Sequence, residues 1–384
     1  MLKILVYFIA FFFLFSCATN SKKVAQIKKS PEIPLREVSS NRSTSLSDPI
    51  SIAFVGDVII HERLRKREEK TNEGFNKIWE SITSYLNKAD MTYANLEGPV
   101  APEYGGPTGF PMFNFPESII PALKNNGIDI VSTANNHALD RQAKGVRKTI
   151  ENLNKYNLAH VGTVSSGKNV EEAIELWWKV TPIQDLRVAW ISCTEMTNGN
   201  PDKEGQVLYC YKNREVIKTL IKELKEQVDA IILLPHWGEE ETYVIESNRT
   251  IWAKKMLDEG VTAVVGSHPH VVQKIENYTT VDGRNTVIAY SLGNFVSNQP
   301  WTPNKASMIL YVKFGRGPNQ KVEVSKVSYI PLWTVRTIER DGTSKFRISP
   351  VWDTRKSEAE KIWKDQLGDE RRLKSEQELS EFLK

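Results

Sequence analysis

Histidine is scarce in this chain, with six in 384 residues: His61, His137, His160, His236, His268 and His270. Cysteine is scarcer still, at three (Cys17, Cys193 and Cys210), which excludes a disulfide-dense scaffold. Neither sign of charge dominates. Lys and Arg total 51 against 47 Asp and Glu, a net charge of +4, and no RNA- or DNA-binding motif is present, so nucleic acid is not an expected partner. The apolar run at residues 4–15 has twelve residues, too few for a spanning helix, which takes about 20. There is no internal repeat and no low-complexity tract. What remains is a hydrophobic content of 40% and a charged content of 26%, the balance of a globular protein.

The short apolar run has a different meaning. Lys3 precedes it, and Leu14-Phe15-Ser16-Cys17 follows it and resembles a bacterial lipobox. Residues 1–17 therefore read as a lipoprotein signal peptide, with Cys17 as the lipidated first mature residue. This predicts a protein anchored by lipid to the cell membrane on its extracytoplasmic face. Residues 18–50 are polar, with Ser, Lys, Asn and scattered Pro, and read as a flexible tether. Cys193 and Cys210 fall in the exported part. Both a disulfide and buried free thiols are consistent with that placement.

From about residue 51 strand-like and helix-like segments alternate. Strand patterns run over 51–56, 91–96, 129–134, 187–193, 229–235 and 262–267. Helical spacing appears over 75–86, 117–125, 143–156, 214–227 and 247–259. This order predicts a largely parallel sheet with right-handed crossovers. After residue 283 the pattern changes to successive strands (286–291, 308–314 and 322–335), which predicts antiparallel pairing in a mixed or second sheet. The folded domain is expected over 51–340. Residues 341–384 read as a charged extension with a weak helical stripe (Ile362, Trp363, Leu367, Leu373, Leu379, Leu383), expected to form a peripheral amphipathic helix.

Five strand patterns end on polar residues able to hold a metal. These are Asp57, Glu97, Asn135-Asn136-His137, His236 and His268-Pro269-His270. Ligands of parallel α/β sheets gather at strand carboxyl ends, so four of the six histidines converge on one predicted site. Carboxylate, amide oxygen and imidazole together suit divalent ions such as Mn, Fe or Zn, one or two of them, better than a structural zinc. A carboxylate such as Glu97 can bridge two cations. Asp140 is placed to orient His137, or to start a helix. His268 and His270, two apart on an extended turn, are expected to point the same way. Asn294 ends a further strand, with a turn role expected.

Six stretches together resemble the bacterial capsule-synthesis CapA family, also called poly-gamma-glutamate synthesis proteins. They are Gly56-Asp57, Asn95-Leu96-Glu97, Ala134-Asn135-Asn136-His137-Ala138-Leu139-Asp140, His236-Trp237-Gly238, Gly266-Ser267-His268-Pro269-His270-Val271 and Tyr290-Ser291-Leu292-Gly293-Asn294-Phe295. The resemblance covers residues 52–300. It implies a metallo-dependent phosphatase-like fold, a two-sheet α/β sandwich with mixed β-sheets and a dinuclear site. By that resemblance Asp57, Glu97, Asn136, His236, His268 and His270 are metal ligands, and His137 is the imidazole that is not a ligand but serves the leaving group. Two departures stand out. Phosphoesterases of this kind carry Asp-x-His at the first strand, where this chain has Asp57-Val58-Ile59, so one ligand of the first metal is either missing or supplied by another group such as His61. Arg141-Gln142 replaces the common Tyr-Gly and is expected to alter the pocket rim.

The implied function is capsule or cell-envelope polymer biosynthesis, with metal-dependent hydrolysis of a phosphoester or a polymer-linking bond. The rival is a non-catalytic component that binds an acidic polymer within a capsule synthesis or export complex. A peptidase or amidase acting on gamma-glutamyl bonds would use the same site.

Overall fold

The computed structural model describes residues 49–166, 177–340, 342, 344–354 and 357–384. Cys17, the signal peptide and nearly all of the 18–50 tether lie outside the described residues. The first half supplies β1 (Ile50–Val58), α1 (Glu62–Glu68), α2 (Asn76–Trp79), α3 (Thr83–Leu86), β2 (Met91–Leu96), α4 (Ile119–Asn125), β3 (Ile130–Ser132), α5 (Gln142–Lys155) and β4 (Ala159–Val161). The next section supplies β5 (Trp178–Ile183), β6 (Leu186–Thr194), α6 (Arg214–Leu224), β7 (Ala230–His236), α7 (Ser247–Glu259), β8 (Ala263–Val265), β9 (Ile275–Thr279) and β10 (Asn285–Ala289). The chain then returns through β11 (Asn294–Val296), β12 (Ala306–Arg316), β13 (Val322–Ile338) and β14 (Ser344–Pro350) to α8 (Val351–Thr354), α9 (Ser357–Leu367) and α10 (Glu376–Leu383).

Two mixed sheets result. The first has the order β14-β13-β12-β1-β2-β3-β4, with β11 also on β1. Its β1–β4 run parallel, while β12, β13 and β14 are antiparallel. The second has the order β5-β6-β7-β8-β10-β9, parallel at the centre and antiparallel at both edges. Strand alternation explains the layering. Ile52 and Phe54 pack with Trp190, Ile232 and Val265 between the sheets. Ala53 and Val55 face the other way, onto Ile78, Trp79 and Ile120 of the helices. On the second sheet Ile191 and Leu233 pack on Leu220, Ile221 and Leu257. The molecule is a two-sheet α/β sandwich with helices outside both sheets. The carboxyl ends of β1, β2, β3, β7 and β8 meet at one edge.

The structure differs from the sequence reading in three places. The helix expected over 75–86 is two short helices, α2 and α3, and between them the Ser81 hydroxyl donates to the Ile348 carbonyl at 2.5 Å. Residues 287–289 pair parallel with β8 as well as antiparallel with β9, so only part of the late region is antiparallel. The region beyond residue 340 is part of the fold. β14 pairs with β13 from Leu332–Pro350 to Ile338–Ser344, and Trp363, Leu379 and Phe382 are buried in the two sheet cores. The stripe seemed weak because it is divided between α9 and α10, which pack on different cores.

Candidate metal centre

Asp57 is fully buried near the end of β1. Gly56 precedes it for a steric reason and not for a tight turn. A Cβ there would lie 1.8 Å from the Gly293 carbonyl oxygen, which also accepts the Asp57 N–H at 3.0 Å. Glu97 follows β2, and Asn95, two residues earlier, projects from the same side. The Asn95 amide donates to Asp57 Oδ1 at 2.8 Å and to Glu97 Oε2 at 3.3 Å. Its own Oδ1 accepts from Ser132 Oγ at 2.8 Å. Adjacent strands thus hold the two carboxylates against each other.

The second sheet brings the imidazoles. His236 ends β7, with Nε2 3.7 Å from Glu97 Oε1 and 3.1 Å from Asn136 Oδ1, and Nδ1 2.9 Å from Ser267 Oγ. His268-Pro269-His270 is not an extended turn. His268 has φ +102° and His270 has φ +58°, conformations that L side chains seldom adopt. The two rings converge through this strained hairpin, with centroids 5.7 Å apart. Such strain persists only where the surroundings impose it. Here the His270 carbonyl accepts from Asn294 Nδ2 at 3.4 Å and Asn304 Nδ2 at 3.2 Å, and the His268 N–H donates to Asp57 Oδ2 at 3.2 Å. His270 Nδ1 lies 3.2 Å from Asp57 Oδ2, and its Nε2 lies 3.6 Å from Glu97 Oε1.

Two donor groups follow, Asp57–Glu97–His236 and Glu97–His268–His270, with all donor atoms in each within 4.8 Å of one another. Glu97 belongs to both. Asn136 joins through its amide oxygen at His236. Asn135 faces away, donating to the Leu96 carbonyl at 2.8 Å. His61 belongs to neither group. Its Nδ1 accepts the Asn298 N–H at 3.2 Å, and its ring packs edge-on to Phe113 at 5.5 Å. Ile59, which stands where a histidine would complete the first-strand motif, is buried in the apolar core beneath the helices.

The electrostatics of these residues fit a bound cation. Burial pushes the Glu97 carboxyl well above its ordinary range, and the charge of Asp57 adds to the shift. Burial, followed by the neighbouring His268 and His270, drives His236 well below its usual value. His268 is lowered to about 3 by burial and then by His270. Among the described residues no lysine or arginine pairs with Asp57 or Glu97. Glu97 Oε1, Asn136 Nδ2 and His268 Nδ1 are buried without hydrogen-bond partners. Buried polar atoms normally have partners. A buried carboxylate oxygen left open where two imidazoles meet is where a divalent ion would supply the missing charge.

His137 stands beside this cluster. Its Nδ1 is 2.7 Å from Asp140 Oδ2, which also accepts the Phe113 N–H at 2.7 Å. This arrangement favours a proton on Nδ1 and leaves Nε2 as the working atom. Asp140 therefore orients His137. Asn198, which the sequence did not single out, places Nδ2 3.4 Å from His137 Nε2, and Asn200 donates to Asp140 at 3.4 Å. Both lie on the loop closed by the Cys193–Cys210 disulfide, which settles the question the sequence left open. Ser267 and Asn95 lie within the stretches that carry the family resemblance, but the sequence alone assigns them no role of their own. Their signal was adjacency, one residue before His268 and two before Glu97.

The family described as "Bacterial capsule synthesis protein PGA_cap" matches residues 51–299. The chain belongs to that family. Among PGA_cap relatives, the PGA biosynthesis protein CapA of Bacillus subtilis (strain 168) is 26% identical over 287 residues, which cover 74% of this chain and 73% of the relative. The capsule biosynthesis protein CapA of Bacillus anthracis is 28% identical over 273 residues, 69% of this chain and 64% of that protein. The Haemophilus influenzae NAD nucleotidase aligns in structure with a TM-score of 0.47 at 13% identity, covering 88% of this chain and 66% of that one. The 5'-nucleotidase of Candida albicans does so at 0.40 and 14%, covering 73% and 51%. Likeness at this level says nothing of chemistry.

Proposed function

We propose that this PGA_cap protein is a metal-dependent hydrolase of capsule or cell-envelope polymer biosynthesis, anchored by lipid at Cys17 on the extracytoplasmic face. Its site would hold one or two divalent ions (Mn, Fe or Zn) on Asp57, Glu97, Asn136, His236, His268 and His270. The observation that carries this reading is Glu97 Oε1, buried, unpartnered and common to both donor groups. When bound, the ions would supply positive charge to stabilise the charge that develops on the reacting group. His137, held by Asp140, would deliver a proton to the leaving atom from Nε2. Asn95, Ser267 and Asn294 would keep the donors in place. The names of the Bacillus relatives support a polymer of the poly-gamma-glutamate type, and the substrate would be a phosphoester or a linking bond of that polymer. The disulfide supports an oxidising compartment. One observation favours the second reading, a non-catalytic polymer-binding component of a capsule complex: Ile59 contributes no donor at the first strand.

The test uses the full chain. Metal content should be one or two ions per chain and should fall sharply in His268→Ala/His270→Ala. His137→Ala should keep its metal and fold yet lose hydrolysis of a generic phosphodiester or of polyglutamate by about 10²–10⁴-fold, the scale of general acid catalysis. Full restoration of polymer yield and length by His137→Ala in a deletion strain would leave only the second reading.

A further inference from the structure

A cleft of about 1220 Å³ opens beside His61, between α1, the 297–305 segment and β13. Six cationic side chains line it against one acidic side chain, Glu62, although the whole chain carries a net charge of only +4. Another hollow, of about 350 Å³, mixes acids and bases in near balance. Positive charge is therefore in local excess at this cleft.

The cations are also ordered. Arg63, Lys66, Arg67 and Lys70 stand at positions one, four, five and eight of a helical count, so they share one face of α1 and its exit turn, over about 10 Å. Lys66 pairs with Glu62 at 2.8 Å and Arg67 with Glu339 at 3.0 Å. Among the described residues Arg63, Lys70, Lys305 and Arg336 have no carboxylate partner, and Arg63, Lys70 and Arg336 are exposed. Apolar surface lies among them. Phe110 is 74% exposed and Ile338 is 72% exposed, and both line the cleft.

Aromatic packing links the wall of the cleft to the site described above. Phe110 packs on Phe113 at 6.4 Å, and Phe113 packs on both His61 at 5.5 Å and His137 at 4.6 Å.

We infer that the cleft binds a linear polycarboxylate chain along the cationic face of α1, an inference that rests on the polymer-processing reading above. Guanidinium and ammonium groups pair with carboxylates, and the exposed Phe110 and Ile338 suit the neutral backbone and methylene units between the charges. A polyphosphate, which has no apolar atoms between its charges, would set phosphates against those apolar side chains. Opposite charge at this mouth also raises the local concentration of the chain.

The test is binding of fluorescent poly-gamma-glutamate to the full chain in detergent with a chelator present, so that bound metal plays no part. Long-chain polyphosphate and neutral dextran serve as comparisons. Expected are polyglutamate binding that weakens as salt is raised, at least a tenfold loss in Arg63→Glu/Lys70→Glu/Lys305→Glu, and a smaller loss in the Gln version of the same triple. Metal content should match the unaltered protein in both, which shows that they fold. Undiminished binding in the folded triples would overturn the inference, as would preference for polyphosphate or no polyglutamate binding by the unaltered protein. Polymer binding that persists while hydrolysis is absent would overturn only the enzymatic reading and keep the cleft.

Discussion

His160 sits on β4, away from the donor groups, with its Nδ1 buried and unpartnered. Burial lowers it from 6.5 to about 4. The sign follows from linkage: between those values the unfolded chain binds a proton that the folded chain refuses, so stability falls as pH drops below 6.5. His160→Gln should be more stable than the unaltered protein by roughly 1 kcal/mol at pH 5 and equal to it at pH 7.5. This is less than the full linkage value, because the ring is partly exposed. Urea melts at the two pH values check it, and an equal difference at both would contradict it. Gln142 offers a second test. It has φ +55° at the position where the family commonly has glycine. Gln142→Gly should stabilise the fold by about 0.5–1 kcal/mol, the left-handed penalty less the entropy that glycine gains when unfolded. Its neighbour Arg141 donates to Thr108 Oγ1 and, at 3.2 Å, to the Met112 carbonyl, tying down the 108–112 loop.

Among the elements, the loop between Cys193 and Cys210 carries the most consequence. It leaves the end of β6 and returns to pair Thr194 with Tyr209 and Thr163 with Val207. On the way it presents Asn198 and Asn200 to His137 and Asp140. A bridge spanning 17 positions stabilises by about 3 kcal/mol in the chain-entropy account. Cys193→Ala/Cys210→Ala should therefore lose about 2–4 kcal/mol in denaturant melts. Its His137-dependent activity should fall further than its metal content. Equal loss of both would mean that the loop only supports the fold. Neither the loop's course nor the bridge was readable from spacing, because two cysteines in an exported domain pair only if the strands bring them together.

At the scale of the molecule, the second sheet is useful only because the first covers it. Their shared core takes Trp333 from β13, Val351 from α8 and Trp363 from α9. A chain ended at residue 340 would lose β14 and the buried Phe346, Ile348, Trp363, Leu379 and Phe382. Each such side chain is worth about 1.5–3 kcal/mol when buried, and a domain holds only about 5–15 kcal/mol in all. The shortened protein is therefore expected to be insoluble or to melt without cooperativity, as circular dichroism would show. A cooperative melt at the unaltered temperature would mean that the extension is dispensable.

The sequence alone determined the alternation of strands and helices, the strand ends that carry Asp57, Glu97, His236 and the His268-Pro269-His270 pair, and the family they point to. These are local matters, set by periodicity and by which residue follows an apolar run. Tertiary structure decided what depends on approach between distant segments. It brought the donors of both sheets onto Glu97, bent the histidine pair into left-handed backbone through Asn294 and Asn304, and required glycine at position 56 because the Gly293 carbonyl passes there. It also drew residues 341–384 into the cores and gathered the cations of α1, Lys305 and Arg336 into one cleft. No window of sequence reports such distances, because each arises only when the two sheets close on their shared core.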